Sequence, residues 1–179
     1  MALDADTSVY RAVAIDGYNP ADTTYNNQRM VAVAAVTSTG AGVIPAVKTK
    51  IDSYLQANRE INFIVNVIDP TFTTINVVVT VVTATGYTNA TVDQAITGAI
   101  HDYLDPNRWG IDTSVQGETS DQTWVETPIL YYNEMITVIS NVSGVARVTA
   151  LTLNGGTANV NLTTPAALTQ VGTITINHA

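Results

Sequence analysis

Apolar residues recur along this chain in two rhythms, every second residue and every third or fourth, with clusters of turn formers between the runs. The first alternating stretch, residues 9–15, is closed by Asp16-Gly17-Tyr18-Asn19-Pro20. Residues 30–36 are nearly all apolar and partly β-branched, which predicts a second strand. After the breaker Ser38-Thr39-Gly40-Ala41-Gly42, the residues Ile44, Val47, Ile51, Tyr54 and Leu55 share one helical face, and Pro45 suits a first turn. Residues 61–68 alternate again, with Phe63, Val65 and Val67 on one face, until Asp69-Pro70 ends the run.

Beyond Asp69-Pro70, residues 73–83 form the longest alternating stretch. Ile75, Val77, Val79 and Val81 face one way, and the half-polar set Asn76, Val78, Thr80 and Val82 faces the other. The spacing of Val92, Ala95, Ile96, Ala99, Ile100, Tyr103 and Leu104 predicts a helix over 91–104, with Thr91 and Gln94 at capping-box spacing and Pro106 as the stop. Residues 107–123 are polar and leave room for a short hairpin. A third helix is expected from Thr127-Pro128, buried along Ile129, Tyr132, Ile136 and Ile139, with Gly144 as its left-handed stop. Residues 145–153 read as a strand, Asn154-Gly155-Gly156 as a tight turn, 160–162 as a return and 173–176 as a last short strand.

Strands and helices mix here without strict βαβ alternation. The expectation is an α+β protein of two small domains, each a mixed or antiparallel sheet with helices packed on one face. Residues 1–8, small and acidic, read as a flexible leader; 9–70 as the first domain; 71–179 as the second.

Composition narrows the role. Hydrophobic residues make up 46% and charged residues only 12% of the 179, so this is a core-forming chain with a Thr- and Asn-rich surface. A net charge of −8 with seven basic residues spread thinly argues against the phosphate-neutralising surface that nucleic acid or an anionic membrane requires. No apolar run approaches the roughly 20 residues of a spanning helix, and Met1-Ala2-Leu3-Asp4 lacks the basic start and apolar stretch of a signal peptide. Without cysteine there is no disulfide, thiolate nucleophile or Cys-held metal.

Motifs for chemistry are sparse. His101 and Asp105 have the i, i+4 spacing of a helical metal pair, with Asp102 adjacent, but no third ligand is designated, and a solvated helix end is the preferred reading. His178, next to the terminus, is expected to be mobile. Gly40-Ala41-Gly42 precedes a helix, but Pro45 stands where a dinucleotide fingerprint needs its third glycine, and no Gly-Lys-Ser/Thr exists. The acids Asp102, Asp105, Asp112, Glu118, Asp121, Glu126 and Glu134 offer many pairs and single out none. Asp4-Ala5-Asp6-Thr7-Ser8 begins like a calcium loop but has Val9 and Ile15 where Gly and Glu belong. The glycosylation triplets at Asn89, Asn141 and Asn161 read as chance. Trp109 and Trp124 suit either sugar stacking or packing, with packing preferred. No catalytic, cofactor-binding or metal-binding residue is therefore assigned, which favours a structural or binding role over catalysis.

The second half carries a more specific signal. A valine-rich strand, Ile75-Asn76-Val77-Val78-Val79-Thr80-Val81, precedes a helix ending Tyr103-Leu104-Asp105-Pro106, with Gly110 shortly after. Trp124-Val125 then leads into 129–139, Val142-Ser143-Gly144-Val145-Ala146-Arg147-Val148 runs into Leu151-Thr152-Leu153, and Gly172-Thr173-Ile174-Thr175-Ile176 closes the chain. This order resembles the C-terminal part of the bacteriophage Baseplate J-like family, the wedge proteins of tail baseplates and related contractile devices; 129–153 is its most specific passage. Residues 9–70 resemble the domain before it, and the chain departs from the family pattern in beginning almost at that middle domain. The resemblance implies a non-enzymatic subunit of the virion's tail baseplate, made in the host cytoplasm, that links the central hub to peripheral baseplate or fibre proteins. It further implies partners among other tail proteins and copies of itself in a ring, and it supplies no catalytic residues and no cofactor. A surface poor in charge suits such burial, and Thr-rich strand edges suit pairing with neighbouring chains. The alternatives are a carbohydrate-binding receptor module built on Trp109 and Trp124 and, ranked lowest, a peptidoglycan hydrolase.

Overall fold

The structure is a computed structural model, and it describes residues 2–110, 124 and 127–179. The chain is α+β and divides into two compact units. Among the described residues, one unit holds 2–71, 110, 124 and 164–167, and the other holds 72–109, 127–163 and 168–179.

In the first unit, β1 (Arg11–Asp16) pairs antiparallel with β2 (Met30–Val36), and β2 pairs in parallel with β3 (Ile64–Ile68), giving a mixed sheet in the order β1-β2-β3. The parallel pair needs a crossover, and α2 (Pro45–Asn58) supplies it. Pro45 stands in its first turn, and Val47, Ile51 and Leu55 turn inward onto Ala12, Val33 and Ala35. Ile44, expected on that face, is the N-cap residue instead and is exposed. β3 begins at Ile64 rather than at 61, and Ile61 is 93% exposed. The segment expected as a loose leader forms a helical turn, α1 (Ala2–Ala5), with Ala2, Leu3 and Ala5 half-buried against the same core. Asp6 then ties this start of the chain to α2 through Lys50 Nζ at 2.6 Å.

The second unit is built on β4 (Thr71–Thr83), whose Ile75, Val77, Val79 and Val81 are all fully buried. On its other face Asn76 and Val78 are exposed while Thr80 and Val82 are half-buried, so the second side of this sheet is partly covered. β4 lies between β6 (Val145–Leu153), antiparallel to it, and β8 (Ala167–His178). The amide of Thr173 meets the Asn76 side chain, and that of Ala179 meets the Val81 carbonyl. Partners along the pair thus rise together, which makes β8 parallel to β4. The last strand runs from 167, much longer than the 173–176 expected, because the β4 edge it pairs with is itself long.

Two helices, α3 (Asn89–Tyr103) and α4 (Tyr132–Ser140), supply buried residues to this unit: Val92, Ile96 and Ile100 from the first, Met135 and Ile139 from the second. The cap of α3 is Thr88, whose Oγ1 accepts from the Thr91 amide, so Thr91 is the capped residue and not the cap. α4 starts at Tyr132, later than expected. Ile129 and Leu130 are spent on a short strand, β5 (Ile129–Leu130), that pairs with β7 (Val160–Asn161), so the segment expected as a return strand answers β5 instead of β6.

The turn after β6 has the expected chemistry. Asn154 (φ 50°) and Gly155 (φ 81°) both adopt left-handed backbone, and Leu153 and Gly156 exchange N–H to C=O bonds across them. Asn154 also reaches β4. Its Oδ1 accepts from the Asn76 amide at 2.8 Å, and its Nδ2 donates to the Thr74 carbonyl at 3.1 Å. The hairpin expected within 107–123 lies almost wholly outside the described residues.

Candidate functional site

His101 projects from the last turn of α3 and is exposed. Asp105 is spent locally, its Oδ1 accepting from the Asn107 amide at 2.9 Å, and Asp102 faces the Arg108 guanidinium at 4.0 Å on the surface. Among the described residues no three His, Asp or Glu side chains converge as metal ligands would. The acids Asp112, Glu118, Asp121 and Glu126 lie outside the described residues. Glu134 accepts from the Tyr103 phenol at 2.7 Å. Burial, and then that hydrogen bond to a carboxylate, push the Tyr103 phenol well above the usual tyrosine range.

Both tryptophans pack inward. Trp109 is 6% exposed, its ring edge-on to Tyr103 at a centroid distance of 6.0 Å, and its Nε1 donates to the Thr127 carbonyl at 3.2 Å. Trp124 is 4% exposed and lies 5.4 Å from the guanidinium of Arg11, itself fully buried. Neither ring presents a face on which a sugar could stack.

Gly40 closes a tight turn, with its amide on the Thr37 carbonyl and the Thr37 amide on the Ala41 carbonyl. Those groups are therefore consumed within the turn and unavailable as an anion cradle. Of the calcium-like segment, Asp6 takes the amide and hydroxyl of Ser8 along with Lys50. The Lys50 bond, more than the Ser8 bonds, holds the Asp6 carboxyl well below the usual carboxylate range.

One constellation was missed. His178, expected to be mobile, is fixed between Asp93 Oδ1 at 2.8 Å from Nε2 and Thr83 Oγ1 at 3.0 Å from Nδ1. The order carboxylate, imidazole, hydroxyl is that of a nucleophilic triad. The Thr83 hydroxyl, however, donates to Asn89 Oδ1 at 2.7 Å, so its proton is directed to the amide and not to the ring. The four side chains instead clasp the end of β8 to β4 and α3. Nothing short of the strand register would have brought residue 178 to residues 83 and 93.

What remains as functional surface is shape and edge. In the first unit a half-open cavity of about 580 Å³ is lined by apolar side chains such as Val31, Val33, Leu55, Phe63 and Val65 together with Asn58, Arg59 and Glu60.

The fold is α+β, and the polar cluster that the described residues bring together is the Asp93–His178–Thr83–Asn89 clasp. Residues 75–177 match the family model described as "Baseplate J-like protein C-terminal domain", more than half of the chain. The protein belongs to the Baseplate J-like family. None of the curated proteins matches the sequence. Among solved structures, a chain of the baseplate of the anti-feeding prophage (AFP), determined by cryo-EM with 6-fold symmetrisation, is similar in fold with a TM-score of 0.61 at 10% identity. The likeness covers 95% of this chain and 35% of that one, so this chain spans about a third of its relative's length.

Proposed function

We propose that this protein is a structural subunit of a phage-type tail baseplate, a wedge component that joins the central hub to peripheral baseplate or fibre proteins and is present in several copies around the tail axis. The observation that carries this reading is the family match over 75–177, the strands and helices of the second unit. The fold likeness of nearly the whole chain to part of a 6-fold baseplate supports it. The physical character of the chain agrees with it. A surface with few charges is desolvated on assembly at little electrostatic cost, and the buried tryptophans and the His178 clasp stiffen the units without offering a reacting group. The role is one of contact and not of catalysis.

Mass spectrometry of purified tails tests it. The protein should be found there in a fixed stoichiometric ratio to the other baseplate polypeptides; its absence from tails that contain those polypeptides would remove the proposal.

A further inference from the structure

Asn154-Gly155 is the one Asn-Gly pair in the chain. Asparagine is a thermolabile residue, and most so before glycine, where no side chain keeps the next amide nitrogen away from its Cγ. In that reaction the Gly155 nitrogen bonds to Asn154 Cγ, the Cγ–Nδ2 bond breaks, and ammonia leaves with the proton of the attacking amide. Water then opens the succinimide at either carbonyl. One opening gives aspartate, and the other gives isoaspartate, with the main chain rerouted through Cβ. Water is the only co-reactant.

Asn154, Gly155 and Gly156 are all exposed, so water reaches the turn. The side chain, however, is tied down at both ends of its amide. Oδ1 accepts from the Asn76 amide at 2.8 Å, and Nδ2 donates to the Thr74 carbonyl at 3.1 Å. The main chain is tied as well. The Asn154 amide donates to the Asn76 carbonyl at 2.9 Å, and Leu153 and Gly156 exchange bonds of 2.8 and 2.9 Å across the left-handed pair. Bringing Cγ onto the Gly155 nitrogen needs rotation about the Asn154 Cα–Cβ bond or the Cα–C bond. The first rotation opens both side-chain bonds, and the second opens the Leu153–Gly156 pair. The anchors on β4 are backbone groups of a strand whose Ile75 and Val77 are fully buried, so they do not follow the turn outward.

We propose that Asn154-Gly155 is a latent self-modification site, held unreactive by its bonds to β4, and that its conversion to aspartate or isoaspartate releases the turn after β6 from that strand. A carboxylate accepts hydrogen bonds and donates none. After conversion the Thr74 carbonyl therefore loses its donor and faces a negative charge, while the bond from the Asn76 amide can persist. Isoaspartate adds a main-chain carbon between Leu153 and Gly156, which the two-bond closure of the turn cannot span. The inference does not depend on the assembly role, since every readout is on the purified protein.

The folded protein and a synthetic peptide of residues 150–159 are incubated side by side in mildly alkaline buffer, and aspartate and isoaspartate at 154 are followed by peptide mass spectrometry. Conversion should be about 30-fold slower in the folded protein, the factor for two hydrogen bonds that must open together. In unfolding urea the two rates should converge, because the lock exists only in the folded state. Equal rates in buffer would overturn the lock, and so would a protein rate that urea does not raise. Asn154→Asp reproduces the product directly, and aspartate visits left-handed backbone as asparagine does, so the change isolates the lost donor. This variant should lower the urea midpoint and speed hydrogen exchange over residues 153–156, while the centre of α3 stays protected. An unchanged midpoint with unchanged exchange at the turn would overturn the release.

Discussion

Gly144 offers the sharpest test of how the second unit is packed. It was expected as the left-handed residue that stops the third helix. That helix ends at Ser140 with Asn141 as its cap in right-handed backbone, and Gly144 stands beyond it, at the entry to β6, with φ 93°. A Cβ there would lie 2.6 Å from Tyr87 Cδ1 and 2.8 Å from Val92 Cγ2. Tyr87 is half exposed and can swing away, but Val92 is fully buried on α3 and cannot. For Gly144→Ala, left-handed backbone costs about 1–2 kcal/mol, and the overlap adds about 1–3 kcal/mol as overpacking. The expected destabilisation is therefore about 2–5 kcal/mol, or roughly 2–4 °C in Tm for each kcal/mol. Two other glycines calibrate the measurement. Gly155→Ala has the same backbone problem (φ 81°) and open space, so it should cost only the conformational part, about 1–2 kcal/mol. Gly98→Ala, in the middle of α3 and also facing open space, should stabilise by about 0.8–1 kcal/mol. Urea unfolding of the three variants decides the matter. Gly144→Ala no more costly than Gly155→Ala would refute the close approach of β6 to Val92 and Tyr87.

Other consequences can be measured directly. Thr169 is fully buried and its Oγ1 donates to the Leu104 carbonyl at 2.8 Å, so Thr169→Val should destabilise by about 1–3 kcal/mol through an unsatisfied acceptor; no change in urea midpoint would contradict that. His178→Ala should speed hydrogen exchange over the end of β8 while leaving the centre of β4 protected, and uniform protection would show that the clasp holds nothing. The folded-state pKa of Tyr103 is raised, so its stabilising contribution is complete below the unfolded-state value near 10 and is lost as pH rises beyond it. Alkaline melting of the wild type should therefore fall more steeply above pH 10 than that of Tyr103→Phe; parallel curves would refute the assignment.

The sheet and helix framework was readable in the sequence wherever burial enforces a strict period. Ile75, Val77, Val79 and Val81 alternate because one side of β4 is wholly covered, and Val92, Ile96 and Ile100 recur because one side of α3 is. Legibility failed where pairing is decided by distant residues. Ile129 and Leu130 have an apolar pattern compatible with a helix, and only β7, some thirty residues on, makes them a strand. The last strand alternates only from Thr173 onward, the part that is legible; Ala167, Leu168 and Thr169 are buried in a row and Gly172 interrupts the pattern, so only its pairing with β4 extends it from 167 to 178. Ala2–Ala5 is too short to show a period at all, and it is held by the core of the first unit and by Lys50. For the functional surface, the packing role of Trp109 and Trp124 was the preferred reading of their type.

If the protein works as a fixed part of a tail, a side-chain-resolution cryo-EM map of intact tails should show it. Density for both units is expected at symmetry-related positions around the hub, continuous with other baseplate chains. Tails complete in every other baseplate component but without that density, with the protein found only free in solution, would contradict it.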